Sequence, residues 1–179
     1  MILLERKLSA LTGLSQLSED LPLYAVMTDD PMRARMLAAH FLDNAKVLFE
    51  LRGMIAYSGA YKGVMLSVIS AGYGESSTLL YLHDAYLLGV RRVLYMGECV
   101  SRTNHFKVRD IIVSDDGDKA LILSALSVST EFSLPLTLAG VATRDRLFLE
   151  DSKSDDKRGI VDFAAAAISA FAAMHEIAA

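Results

Sequence analysis

"VMLSVISAGYGESSTLLYLHDAYLLGVRRVLYMGECV", residues 64–100, is the stretch whose reading decides the fold. It opens on a continuous apolar run, "VMLSVIS", the pattern of a strand buried on both faces. Gly72 and Gly74 break that run, and Ser76 or Ser77 can cap the helix that follows. Leu79, Leu80, Leu82, Tyr86 and Leu87 form a helical stripe, which Gly89 closes. "RRVLYMG" is a second strand. Strand, glycine turn, helix and strand make a βαβ unit, so the spacing predicts a parallel pair in an α/β sheet. Ligands of such sheets bind beyond the carboxyl ends of the strands. Gly72-Tyr73-Gly74 stands at one such end and Gly97-Glu98-Cys99 at the other. A glycine turn opening a helix exposes amide N–H groups suited to phosphate or another anion. The alternative is a tight turn that holds no ligand.

Upstream, "PLYAVMT" (22–28) is a short apolar run ending in a polar corner, "DDP". Pro31 suits the first turn of a helix and Asp29 or Asp30 can cap it, with the helix continuing through "MRARMLAAHFLDNA" (32–45). Arg33, beside two carboxylates and the first helical amides, makes "DDPMRAR" a second candidate anion site. Its alternative is a capped surface helix with local ion pairs. Residues 46–72 read as hairpin material turning at "GAYKG", around Gly59 and Gly63. Arg52, before Gly53, can reach an oligomer interface or a ligand, or be simply solvated.

Downstream, "FKVRDIIVSDDGD" (106–118) gives a strand and a polar turn. "KALILSALSVSTEFSLP" (119–135) fits helix or strand, and "LTLAGVATRDRLFLED" (136–151) reads as a strand. "SKSDDKRG" (152–159) is a charged surface loop. "VDFAAAAISAFAAMHEIAA" (161–179) contains Asp162, His175 and Glu176 and is rich in alanine, so it reads as a buried helix and not a membrane span.

The 179 residues suffice for one domain, 1–179, with a sizeable core. Hydrophobic residues make up 53%, and mean hydropathy is +0.33. A net charge of −4 argues against nucleic acid, whose phosphates need a basic surface. Cys99 is the sole cysteine, which excludes an internal disulfide and a thiolate metal cluster and is compatible with a cytoplasmic location. The expected metal content is none. His40, His83, His105 and His175 show no ligand spacing. His83 and Asp84 are expected to diverge on their helix, and Cys99 reads as a small buried thiol. Glu5, Arg6 and Lys7 interrupt "MILL" before any signal-peptide core can form. These patterns alone lead to an α/β ligand-binding or catalytic domain.

A family resemblance adds to them. Met27 to Asp116 resembles the nucleoside phosphorylase family, the purine nucleoside and uridine phosphorylases of the hexameric bacterial type. "DDPMRARMLAAHFLDNAKVLFELRGMIAYSGAYKG" is similar to its Gly-Asp-Pro corner, arginine, helix, "RGM" and G-x-YKG hairpin. "SVISAGYGESSTLLYLHDAYLLGVRRVLYMGECV" resembles its G-x-G-x-P-S turn, helix and R-x-G-[ST]-C-G strand end, and "FKVRDIIV" matches the next strand. "GVATRDRLFLED" and "GIVDFAAAAISAFAA" look like weaker continuations.

The resemblance implies a three-layer α/β/α fold with a mixed, partly barrel-like central sheet. It also implies reversible phosphorolysis, in which phosphate attacks C1′ of a nucleoside to give free base and ribose 1-phosphate. No cofactor is implied, only phosphate as co-substrate if the protein is active. Gly72, Gly74 and Arg33 match phosphate positions. Arg52 matches an arginine lent to the neighbouring subunit's phosphate site, implying a dimer-based homo-oligomer or a hetero-oligomer with an active paralogue. Phe163 falls where a methionine packs on the sugar, with Asp162 nearby as a substitute ribose ligand.

Four positions depart from the pattern. Asp29 replaces the corner glycine, Tyr95 the strand-end arginine, Glu98 a hydroxyl donor, and Ala164 the acid that holds the ribose hydroxyls. Val100 replaces the second glycine of the strand-end turn, the insertion after "RDIIV" is shortened to "SDDGD", and the family's C-terminal strand and helix are lacking. The expectation is a phosphorylase-like fold with lost or altered phosphorolysis, binding a nucleoside or base. The alternative is an active purine nucleoside or uridine phosphorylase.

Overall fold

Alternation of apolar residues across neighbouring strands shapes the first half of the chain. The computed structural model describes residues 11–143 and 160–179, which group into two compact units dividing between Gly97 and Glu98. In the first unit, β1 (Tyr24–Thr28) leads into α1 (Pro31–Phe41). A meander follows: β2 (Asp43–Leu51), β3 (Met54–Tyr61) and β4 (Val64–Ser70). Then come α2 (Glu75–Leu87) and β5 (Arg92–Met96). The sheet order is β2-β3-β4-β1-β5, antiparallel through the meander and parallel from β4 to β5.

The βαβ reading holds in direction, with one correction. β4 and β5 run parallel but are not neighbours, because β1 lies between them and pairs with both. Burial in β4 is confined to Ser67–Ser70, while Val64 and Met65 at its start are exposed.

Register places Phe49, Ala56, Ile69, Met27 and Tyr95 in one row on one face. Phe49 stacks on Tyr81 of α2 with ring centroids 6.1 Å apart, so α2 covers that face. The opposite face carries Ile55 and Val68, packed with Ala34 of α1. Helix, sheet and helix therefore form three layers. Ile55, Ile69 and Met27 are fully enclosed, and burying side chains of this size stabilises by about 1.5–3 kcal/mol each.

The hairpin turn is Lys62-Gly63, both at positive φ (49° and 81°), and Gly59 lies inside β3. Gly59 is needed for close approach: a Cβ there would meet Leu42 Cβ at 2.9 Å and the Asp43 carbonyl at 3.0 Å. Arg52 and Gly53 make the same kind of turn between β2 and β3, at φ 54° and 82°. Neither Ser76 nor Ser77 caps α2. Gly74 holds the N-cap position, and the Ser77 hydroxyl donates to the Ala71 carbonyl at 2.5 Å.

The second unit contains β6 (Val100–Ser101), β7 (Ile111–Ser114), α3 (Lys119–Glu131), β8 (Leu136–Ala139), β9 (Val141–Thr143), β10 (Ile160–Asp162) and α4 (Ala165–His175). β7 and β8 pair in parallel; β10 pairs with β9 in parallel and with β6 antiparallel. The two-way reading of 119–135 becomes a helix over 119–131, started by Asp118, whose carboxylate accepts from the amides of Ala120 and Leu121. The strand expected over 136–151 breaks at Gly140 into β8 and β9, which join different sheets. Its remainder and the charged loop at 152–159 lie outside the described residues. The C-terminal helix is shorter than expected, because residues 160–162 form a buried strand before it.

Candidate functional site

The carboxyl ends of β1, β4 and β5 converge at one edge of the first unit's sheet, where parallel α/β sheets place their ligands. Asp30 caps α1, accepting from the Met32 amide at 2.8 Å, and Pro31 occupies the first turn. That leaves Asp29 for a different task. Its side chain is 1% exposed, and its Oδ1 accepts from Arg33 Nη1 at 2.5 Å. The same Nη1 donates to Thr28 Oγ1 at 3.0 Å and to the Met96 carbonyl at 3.2 Å. The Thr28 hydroxyl donates to Asp29 Oδ1 at 3.3 Å. The arginine therefore ties the end of β1 to the end of β5 with a carboxylate from its own chain. The contacts of "DDPMRAR" include both a helix cap and a local ion pair, with Asp29 buried and Arg33 partly exposed.

Gly72 and Gly74 adopt positive φ (76° and 97°) beside this corner, and the Ala71 amide donates to the Thr28 carbonyl at 2.8 Å. A Cβ on Gly72 would meet Ser77 Oγ at 3.1 Å and Met54 Sδ at 3.5 Å, so protein atoms already pack against it. Tyr95 folds over the turn that follows β5: a Cβ on Gly97 would meet the Tyr95 ring at 2.6 Å and its hydroxyl at 2.9 Å. Arg52 stands at the same end of the sheet but toward the β2 edge, across β3 and β4 from Thr28. It is exposed and acts on Tyr81, whose phenol burial pushes up and Arg52 pulls down.

In the second unit, Glu98 is exposed. Asp162 is 6% exposed and lies two residues before Ala164, the N-cap of α4. Its Oδ1 accepts from the Thr143 hydroxyl at 2.7 Å and its Oδ2 from the Ala165 amide at 2.8 Å. Thr143 Oγ1 in turn accepts from the Ala166 amide at 2.8 Å. Both carboxylate oxygens are thus used in starting α4. Ala164 is fully buried and Phe163 half-buried. Cys99 is exposed by area, not buried as read; its thiol is still pushed up, first by partial burial and then by Asp162.

His83 and Asp84 do not diverge: His83 Nδ1 lies 3.7 Å from Asp84 Oδ1, beyond hydrogen-bond range. Asp84 is buried and accepts from the Thr12 hydroxyl. Among the described residues no group of three His, Cys, Asp or Glu side chains can hold a metal ion, and no helix is long and apolar enough to cross a membrane. Sequence reasoning missed Thr28, the Met96 carbonyl and Thr143. Thr28 adjoins the corner and was open to inference, but Thr143 is brought to Asp162 only by β9–β10 pairing.

No protein-family model matches the chain. The purine nucleoside phosphorylase, DeoD type, of Colwellia psychrerythraea is 37% identical over 89 residues, which are 49% of this chain and 38% of that protein. The chain thus spans a little over a third of that relative. The DeoD-type 2 enzyme of Aliivibrio fischeri is 29% identical over an alignment of 174 residues, covering 83% of this chain and 74% of the relative. The structure of purine nucleoside phosphorylase from Toxoplasma gondii in complex with immucillin-H superposes with a TM-score of 0.81, covering 96% of this chain and 79% of that one at 15% identity. The fold is therefore the three-layer α/β fold with a mixed sheet that the family resemblance implied.

Proposed function

We propose that this chain, which is similar to DeoD-type purine nucleoside phosphorylases, is a phosphorylase-like protein of nucleoside metabolism in which phosphorolysis is lost or altered. The observation that carries the reading is the ion pair between Arg33 and buried Asp29. Phosphorolysis needs a fixed phosphate, a positioned ribose and neutralisation of the leaving base. A phosphate drawn to Arg33 competes with Asp29, whose buried carboxylate would lose its guanidinium partner. Leaving Asp29 in place is no better, since two unit charges about 4 Å apart repel by ~4 kcal/mol at an effective dielectric of 20. Tyr95, folded over Gly97, supplies no cation where the family pattern has one. Asp162, committed to α4, is a poor substitute ribose ligand.

On this reading the ligand is a nucleoside or base, no cofactor is required, and Phe163 packs on the sugar. Arg52 completes a neighbouring subunit's site, in a homo-oligomer or beside an active paralogue. A second reading, an active purine nucleoside phosphorylase, is supported by the 37% identity to a DeoD-type enzyme over 89 residues. Incubation with inosine, adenosine and uridine, with and without phosphate, separates the two. The proposal expects no phosphate-dependent base release, and steady phosphate-dependent turnover would select the second reading. The double substitution Tyr95→Arg with Glu98→Ser is expected to gain phosphate affinity only if Asp29 is also removed.

A further inference from the structure

The face of the first unit's sheet that α2 covers has a second roof. Residues 17–22 pass over β2 and β3 and enclose a cavity of about 160 Å³, well above the ~15 Å³ that a single water needs. The roof is tied at both ends. Upstream of it, Leu14 is fully buried and the Thr12 hydroxyl donates to buried Asp84 of α2. At its far end, the Leu21 amide donates to the Leu88 carbonyl at 2.7 Å. The cavity is therefore preformed, and neither Asp29 nor Arg33 lines it.

Its lining changes character from one end to the other. Leu48 is the extra residue of a bulge, between the pairs Val47–Tyr57 and Phe49–Ala56, and it faces the cavity together with Leu17 and Leu21. Bulges re-aim side chains in this way. Ser58 of β3 also lines the cavity. Directly opposite it on β4 stands Ser67, fully buried, whose hydroxyl has no hydrogen-bond partner among the described residues. Directly paired residues share a face, with Cβ atoms about 5 Å apart, so the two hydroxyls serve one end of the cavity. A buried polar group without a partner calls for one. Exposed Glu19 and Asp20 put two carboxylates on the outer wall.

We propose that this cavity is a binding site for a short amino alcohol. The ammonium group sits against Glu19 and Asp20, the methylenes against Leu17, Leu21 and Leu48, and the terminal hydroxyl at the Ser58–Ser67 pair. The carboxylates disfavour anions, so the site differs in kind from a phosphate corner and goes beyond the phosphorylase-like reading.

The probe is aminobutanol with its amine and hydroxyl at opposite ends of the chain, followed by saturation-transfer NMR on the unmodified protein. Butylamine and butanediol each lack one of the two polar ends. Aminobutanol is expected to bind saturably, and each comparison compound about fivefold more weakly. Glu19→Gln with Asp20→Asn, two exposed changes, should erase the preference over butanediol. Ser58→Ala should erase the preference over butylamine, and Ser58→Leu, which fills the cavity, should abolish binding. Absence of saturable binding, equal affinity for aminobutanol and either comparison compound, or binding that persists in Ser58→Leu overturns the proposal. Should Ser58→Leu fail to fold, the other two variants decide, and an unchanged preference in either overturns it. Neither nucleoside nor phosphate is present, so this outcome is separate from that of the base-release assay.

Discussion

Arg33 was legible as the cation of the first corner, but its partner was not. Asp29 and Asp30 are equivalent as letters. They diverge because Asp30 precedes Pro31 at the helix start and spends its carboxylate on the Met32 amide, whereas Asp29 ends a buried strand and turns inward. Asp162 shows the same dependence on long-range structure, since its hydrogen bond with Thr143 joins residues 19 apart in sequence. Replacing Asp162 by alanine is expected to cost about 1.5–3 kcal/mol, the value of a hydrogen bond to a charged group, seen as a lower urea midpoint without a change in slope. Asp162→Asn keeps one acceptor and removes the charge that, after burial, holds the Cys99 thiol above its ordinary range. A raised pKa means less thiolate at any given pH. Alkylation of Cys99 by iodoacetamide at pH 8 should therefore run slower than for a free thiol and accelerate in Asp162→Asn. An unchanged rate would detach the thiol from that carboxylate. Gly97→Ala should displace the Tyr95 ring, since the added carbon would stand 2.6 Å from it, and a shifted tyrosine near-ultraviolet signal would report this.

Elements with a full period were readable and short ones were not. The run at 64–70 and the stripe at 79–87 gave β4 and α2 in their correct directions, because glycines bracket them and their spacing is unambiguous. What the sequence could not say is that β1 slips between β4 and β5, since insertion of an earlier strand leaves no local mark. Three-residue strands such as β9 and β10 carry too little pattern to separate from their surroundings. Gly59 misled because glycine marks both turns and close approaches, and only the nearness of Leu42 and Asp43 decides which. The three-layer packing makes its own prediction. Ile69, fully enclosed beneath α2, should lose about 2–5 kcal/mol on truncation to alanine. Val64→Ala, on the exposed start of the same strand, should cost far less. Equal losses in chemical denaturation would show that β4 is not buried as described.

At the scale of the molecule, the likeness to known sequences and the architecture point the same way. The similarity to a DeoD-type enzyme extends over 89 residues, and the superposition extends the likeness in fold across 96% of the chain. The core around Ala34, Ile55 and Val68 is apolar and includes neither Asp29 nor Arg33. Sedimentation at micromolar concentration bears on Arg52, whose exposed turn suits a shared site. A purely monomeric chain would count against that arrangement. The most direct measurement is calorimetric titration of the unmodified chain with inorganic phosphate. With Arg33 committed to Asp29, no saturable heat is expected up to about 1 mM, the concentration corresponding to some −4 kcal/mol of binding. Saturable binding below that concentration, abolished by Arg33→Met, would contradict the account.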